Sequence, residues 1–198
     1  MSIANYLTFI RIFISPIFMF LYLEYSLLGI PFVALPYILL ALLGVSELSD
    51  AFDGYLARKL RQVTDLGKLL DPMADSIYRI SVFLTFTRPP VSLPLLLVFV
   101  FLYRDSVIST LRTVCALRGF ALAARSTGKI KAILQAISGF VILLMLIPYT
   151  LGSITAGTLH AVSITVVSIS AAYALFSGVE YLWANRDYVL RLLTAKGE

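Results

Sequence analysis

The stretch DAFDGYLARKLRQVTDLGKLLDPMAD, residues 50–75, carries five aspartates, and the spacing of four of them predicts how the surrounding helices are arranged. Asp50 and Asp53 are three residues apart, and Asp71 and Asp75 are four apart, so each pair shares one face of a helix. The connection between the two pairs is short and charged, which predicts two antiparallel neighbouring helices. We therefore expect four carboxylates to converge from two helices at one depth.

The composition around this stretch is typical of an integral membrane protein. The chain has 198 residues, of which 60% are hydrophobic and only 14% are charged, and its mean hydropathy is +0.92. Soluble domains are about 45–50% apolar and about 25% charged. A soluble globule and a disordered chain are therefore both excluded. The net charge is +5, but no basic face lies outside the hydrophobic pattern, so we expect no nucleic-acid partner.

Hydropathy predicts an all-α integral membrane protein with six transmembrane helices, forming a single domain over residues 1–198. The predicted spans are roughly 4–24, 34–57, 69–87, 93–117, 129–149 and 157–182. Basic residues cluster after the second, fourth and sixth spans. The positive-inside bias therefore predicts that these connections and both termini face the cytoplasm. The aspartates then form a polar metal site at the cytoplasmic ends of helices 2 and 3.

The residue types in this stretch predict metal-dependent phosphate chemistry. Four like charges within a membrane span would not stay ionised without cations, and hard oxygen ligands select Mg²⁺, Mn²⁺ or Ca²⁺. The small residues Gly54 and Ala57 leave room for a flat group, and Arg58 and Thr64 could hold phosphate oxygens. This combination indicates phosphoryl or phosphodiester transfer. A small proton-coupled transporter is the alternative from a different class, because transporters also keep buried acids.

The same stretch resembles the signature of the CDP-alcohol phosphatidyltransferases, D-x2-D-G-x2-A-R-x8-G-x3-D-x3-D. The matching positions are Asp50, Asp53, Gly54, Ala57, Arg58, Gly67, Asp71 and Asp75. The six predicted spans also fit that family, so the resemblance covers essentially the whole chain. It implies an enzyme of phospholipid biosynthesis in which an alcohol hydroxyl attacks the lipid-linked phosphorus of a CDP-lipid and CMP leaves.

The resemblance also implies roles for individual residues. Asp50, Asp53, Asp71 and Asp75 would bind two divalent ions, Mg²⁺ or Mn²⁺, and Asp75 would also be the general base. The opening N-x-L-T-x-x-R pattern joins the CDP-diacylglycerol site in that family. The residues implied for CDP-lipid binding are Asn5, Thr8, Arg11, Gly54, Ala57, Arg58 and Thr64.

Further segments resemble the phosphatidylglycerophosphate synthase branch of this family, whose acceptor is sn-glycerol 3-phosphate. These are Arg104-Asp105, Leu111-Arg112 and Gly128 to Ala132 followed by Gln135, and the implied acceptor phosphate ligands are Arg104, Arg112, Lys129 and Lys131. Asp105 stands where that branch usually has Glu, and Ser76 stands where Lys is common. Inositol phosphate, inositol, serine and choline therefore stay open as acceptors. The resemblance further implies a bacterial inner membrane and is compatible with a homodimer, which is common in the family.

Overall fold

The protein is all-helical in the computed structural model. The structure describes the backbone of residues 3–59, 65–117 and 125–188, and the side chains of residues 11–49, 73–117 and 125–188. Six long helices lie within these ranges: α1 Ile3–Glu24, α2 Leu35–Lys59, α3 Asp65–Thr85, α4 Leu95–Leu117, α5 Ser126–Thr150 and α6 Ala156–Ala184. Each predicted segment overlaps one of these helices, which confirms the all-α prediction.

The helices that carry the aspartates extend further into the charged connection than hydropathy predicts. α2 ends at Lys59, two residues later than expected, and α3 begins at Asp65, four residues earlier. Hydropathy detects only the apolar part of a helix, whereas backbone hydrogen bonding continues through charged turns.

The six helices pack in a closed ring in the order α1, α2, α5, α6, α4 and α3, and α3 closes the ring on α1. A further contact between α3 and α5 crosses the ring. One half of its interior is aromatic. Phe18 and Tyr22 of α1 each meet Phe86 edge to face with ring centroids 5.9 Å apart, a geometry that adds to the energy of burial.

Two of the described helices are long and apolar enough to cross a membrane by themselves. They are α5, with a hydropathy of 2.3, and α6, with a hydropathy of 1.8. Both present large apolar side chains on the outside of the ring, including Ile133 and Ile137 of α5 and Val179 of α6. Lipid rather than water suits such a surface. That the other four helices also cross the membrane stays a prediction.

Polar and charged side chains inside the ring are concentrated at one end. The early parts of α1, α3 and α5 and the late parts of α2, α4 and α6 meet there. We call this half the polar end, and its buried and half-buried residues include Arg11, Glu47, Asp75, Arg79, Arg104, Asp105, Lys131 and Ser177. The candidate site lies at this end.

Candidate active site

α1 brings a buried arginine directly to the last aspartate of the motif. Arg11 is 2% exposed and Asp75 is 33% exposed, and the Nη1 group of Arg11 donates a hydrogen bond to Oδ1 of Asp75. The two residues meet because α1 packs along α3. A buried guanidinium needs a nearby anion, since an uncompensated charge inside a membrane protein is costly. The contact joins the predicted CDP-lipid residue Arg11 to the predicted base Asp75.

The backbone places the aspartates of α2 at heights that match those of α3. Oε2 of Glu47 on α2 lies 3.4 Å from Nη2 of Arg79 on α3, which gives the register of the two helices. Asp50 lies about 4.5 Å beyond Glu47 along α2, and Asp75 lies about 6 Å before Arg79 along α3. The remaining motif aspartate of each helix lies about one turn nearer the polar end. The two helices therefore run antiparallel, but α1 lies between them in the ring, so their predicted packing as direct neighbours is not among the helix contacts of the described residues.

The predicted metal and nucleotide ligands are only partly within the described side chains. The side chains of Asp75 and Arg11 are described. The other predicted ligands lie outside the described side chains; they are Asp50, Asp53, Asp71, Asn5, Thr8, Gly54, Ala57, Arg58 and Thr64. Among the described side chains, no three His, Cys, Asp or Glu groups come together. The donor set nevertheless fits a divalent cation, because it consists of hard carboxylate oxygens on two helices in matching register.

A second charge cluster lies across the ring, between α4 and α5. Nζ of Lys131 donates to both carboxylate oxygens of Asp105, at 2.7 and 2.8 Å. Nη1 of Arg104 donates to Oδ1 of the same carboxylate at 3.0 Å. Lys131 and Asp105 are each 5% exposed. Two cations share one carboxylate, so the three groups together keep one positive charge that attracts an anion.

Gly178 makes room for the stem of Arg104 beside α6. Nε of Arg104 donates to Oγ of Ser177 at 3.2 Å. A Cβ atom added to Gly178 would lie 3.2 Å from Cγ of Arg104, and one added to Gly128 would lie 3.5 Å from Nη2. A side chain at Gly178 would therefore press on the stem of the arginine. The close approach of α6 holds this guanidinium at the beginning of α5.

The structure separates the four predicted acceptor ligands into two kinds. Arg104 and Lys131 are largely buried and contact Asp105. Lys129 is exposed and Arg112 is half-buried. Lys129 and Lys131 are two residues apart, so they lie on different faces of α5 and do not act side by side. An anion that reached Lys131 would meet a lysine already bonded to Asp105.

Sequence reasoning missed an ion pair that ties the beginning of α5 to the end of α6. Nη2 of Arg125 lies 2.6 Å from Oε1 of Glu180, and Oγ1 of Thr127 donates to Oε2 of Glu180 at 2.9 Å. The available signal was the single acid near the end of an otherwise apolar helix, since such a charge requires a partner. The sequence does not indicate which partner, because α5 and α6 are joined at their other ends.

Comparison with known proteins identifies the class of protein. The family model of the CDP-alcohol phosphatidyltransferases matches residues 1–178. The chain therefore belongs to the CDP-alcohol phosphatidyltransferase family. This family consists of membrane-integral enzymes that transfer phosphatidyl groups and generally use divalent metals.

Several curated relatives align with nearly the whole chain. A CDP-diacylglycerol–glycerol-3-phosphate 3-phosphatidyltransferase of Bacillus subtilis (strain 168) is 34% identical over 190 residues, covering 93% of this chain and 95% of the relative. A protein of the same name from Rickettsia typhi is 28% identical over 191 residues, covering 94% and 98%. A cardiolipin synthase (CMP-forming) of Streptomyces coelicolor is 37% identical over 108 residues, which are 54% of this chain and 48% of the relative. The full-length similarity is thus to enzymes named for glycerol 3-phosphate.

Proposed function

We propose that the protein transfers the phosphatidyl group of CDP-diacylglycerol to sn-glycerol 3-phosphate, giving phosphatidylglycerophosphate and CMP. The observation that carries the proposal is the contact between Arg11 and Asp75, where a buried cation meets a motif carboxylate. The near-full-length relatives named for glycerol 3-phosphate support this choice of acceptor. The positive cluster around Asp105 suits a phosphorylated alcohol better than a neutral one.

Asp75 acts as the general base in this proposal. Its carboxylate accepts the proton of an acceptor hydroxyl, whose oxygen forms a bond to the lipid-linked phosphorus. The bond from that phosphorus to the oxygen of CMP breaks, and CMP leaves with the electron pair. Asp75 then returns the proton to water. Arg11 orients the carboxylate through their ion pair and supplies a guanidinium for the diphosphate oxygens of the CDP-lipid.

Two divalent ions, Mg²⁺ or Mn²⁺, fit the donor set of this motif. The residues that would hold them are Asp50, Asp53, Asp71 and Asp75. When bound, such ions neutralise the charge of the diphosphate and of the leaving CMP. The residues proposed to hold the rest of CDP-diacylglycerol with Arg11 are Asn5, Thr8, Gly54, Ala57, Arg58 and Thr64.

The acceptor phosphate is proposed to bind Arg104, Arg112, Lys129 and Lys131, and their different burial gives a test. Lys129→Gln should raise the KM for glycerol 3-phosphate several-fold and leave stability unchanged, because Lys129 is exposed. Lys131→Gln should raise that KM and also lower the free energy of unfolding, by on the order of 3 kcal/mol, because Asp105 loses a buried partner. Initial rates and thermal unfolding of the two purified variants measure this difference. Equal stability of the two variants would contradict the assigned burial of Lys131.

The proposed arrangement is a single domain of residues 1–198 with six transmembrane helices in a bacterial inner membrane. The polar end and both termini face the cytoplasm, and the acyl chains of CDP-diacylglycerol remain among the membrane lipids. The described basic residues support this orientation, because Arg112, Arg125 and Lys129 lie at the polar end and Arg88 lies at the other. A homodimer is part of the proposal. The orientation can be tested by fusing, after Glu198, a reporter enzyme that is active only outside the cytoplasm. Activity of that reporter in the fusion protein would contradict the proposed orientation.

An acceptor screen tests the proposed function. Purified protein in lipid nanodiscs is given CDP-diacylglycerol and one alcohol at a time, and CMP release is measured. We expect release with glycerol 3-phosphate, loss of nearly all of it in excess EDTA, and recovery with Mg²⁺ or Mn²⁺. Release with inositol phosphate, inositol, serine or choline instead would reassign the acceptor. Proton-coupled solute flux without CMP release would favour the transporter.

A further inference from the structure

We propose that Arg79 is a positioning residue that fixes the register of α2 against α3. In this role it sets the separation between the aspartates of α2 and those of α3. The proposal rests on the proposed function, in which these aspartates hold divalent ions. Among the described side chains of α2 and α3, Arg79 and Glu47 are the half-buried charges of the polar end to which that function assigns no role.

The guanidinium of Arg79 joins three helices. Its side chain is 11% exposed, and Nη2 lies 3.4 Å from Oε2 of Glu47 on α2. Nη1 donates a hydrogen bond to the backbone carbonyl of Ala132 on α5. A guanidinium can do this because it carries five donors in a rigid planar arrangement. The contact with α5 belongs to the packing of α3 across the ring.

The height of this contact links it to the motif. Glu47 precedes Asp50 by three residues, and Arg79 follows Asp75 by four, so the pair lies about one helical turn deeper than these aspartates. A slip of α2 by one residue would displace its carboxylates by about 1.5 Å relative to α3. Binding sites tolerate displacements of only about 0.5 Å. The same slip would separate Glu47 from Arg79, so the pair opposes the displacement that would spoil the donor set.

A role in register explains the pair better than a role in stability. Burying two charges has a desolvation cost that a hydrophobic pair of the same size avoids, and the best-attested use of buried polar groups is to specify register. Inside a membrane protein the cost is higher still. Ala132 also follows Lys131 directly, so Arg79 holds the turn of α5 that carries the lysine bonded to Asp105.

The test uses the full chain in nanodiscs and measures Mn²⁺ binding without substrates, by the electron paramagnetic resonance signal of free Mn²⁺. Arg79→Gln and Glu47→Gln should each weaken Mn²⁺ binding roughly tenfold, as outer-shell changes do at metal sites. Arg79→Lys should retain most of the affinity because it keeps the charge. Arg88→Gln, at the opposite end of α3, is the matched control.

The outcomes separate this inference from the proposed function. Wild-type Mn²⁺ affinity in a folded Arg79→Gln variant would overturn the inference, even if CMP release by the wild type were as expected. If Arg79→Gln fails to fold, the Mn²⁺ affinity of Glu47→Gln tests the inference instead, because that substitution replaces one carboxylate oxygen by an amide nitrogen at nearly constant volume. Unchanged Mn²⁺ affinity in Glu47→Gln would also overturn the inference. A wild type that binds Mn²⁺ in an Arg79-dependent way without releasing CMP would support the inference and overturn only the transfer reaction.

Discussion

Asp75→Asn is expected to lower kcat for CMP release by about a thousandfold while the protein still inserts into the membrane, since a general base contributes about 10² to 10⁴ in rate. The amide has the size of the carboxylate but accepts no proton from the acceptor hydroxyl. It is also a weaker ligand for a hard cation. The measurement is steady-state CMP formation by purified wild type and variant at saturating CDP-diacylglycerol.

The matched control is Asp65→Asn, which changes an aspartate at the beginning of the same helix that stands at a variable position of the motif. It removes one negative charge from α3 and should leave CMP formation near the wild-type rate. The size-exclusion profile and helical content of both variants should equal those of the wild type. An Asp75→Asn enzyme with more than about a tenth of wild-type activity would remove Asp75 as the base, since the expected loss is much larger.

Arg11→Gln is expected to lower kcat/KM for CDP-diacylglycerol by about a hundredfold, the size of effect seen when one charge-stabilising donor is removed. Arg11 contacts Asp75 from inside the ring, so its loss removes both the partner of that carboxylate and a cation for the diphosphate. Arg11→Lys should recover part of the activity, because lysine keeps the charge but lacks the forked geometry of the guanidinium. Initial rates at varied CDP-diacylglycerol and fixed glycerol 3-phosphate measure the effect.

Loss of fold is the competing explanation for an inactive Arg11→Gln variant. Removing Arg11 takes one partner from Asp75, and because Asp75 is 33% exposed the loss of stability should be smaller than the roughly 3–5 kcal/mol that a fully buried charge would cost. The double variant Arg11→Gln/Asp75→Asn removes both charges and should recover most of the thermal stability without activity. An Arg11→Gln variant that changes only the KM for glycerol 3-phosphate would contradict the placement of Arg11 at the CDP-lipid.

The helices and the location of the motif could be predicted from sequence because both depend on local patterns. Each long apolar run became a helix, and the spacing of Asp71 and Asp75 placed them on one face of α3. The largest difference is at a charged helix end, the start of α3 at Asp65, four residues before the predicted start. Hydropathy is weakest there, because a helix continues past the point where its side chains cease to be apolar.

The partners of the buried charges could not be predicted, because they depend on how the ring is closed. The sequence predicts Arg104 and Lys131 as ligands of an acceptor phosphate but not that both are bonded to Asp105, as the structure shows. Likewise nothing local to Arg11 indicates that it faces Asp75. Such contacts follow from the rotation and height of whole helices, which are decided by packing along their full length. The rule that a buried charge needs a partner predicts that these contacts exist, but not which residues make them.

The central claim is tested most directly by the stoichiometry of transfer in nanodiscs that contain only this protein, lipid and CDP-diacylglycerol labelled in its diacylglycerol. With glycerol 3-phosphate and Mg²⁺, we predict one CMP for each labelled lipid converted to phosphatidylglycerophosphate, and neither product from the Asp75→Asn variant. Labelled CDP-diacylglycerol that stays intact under these conditions, with a correctly folded wild-type protein, would contradict the account.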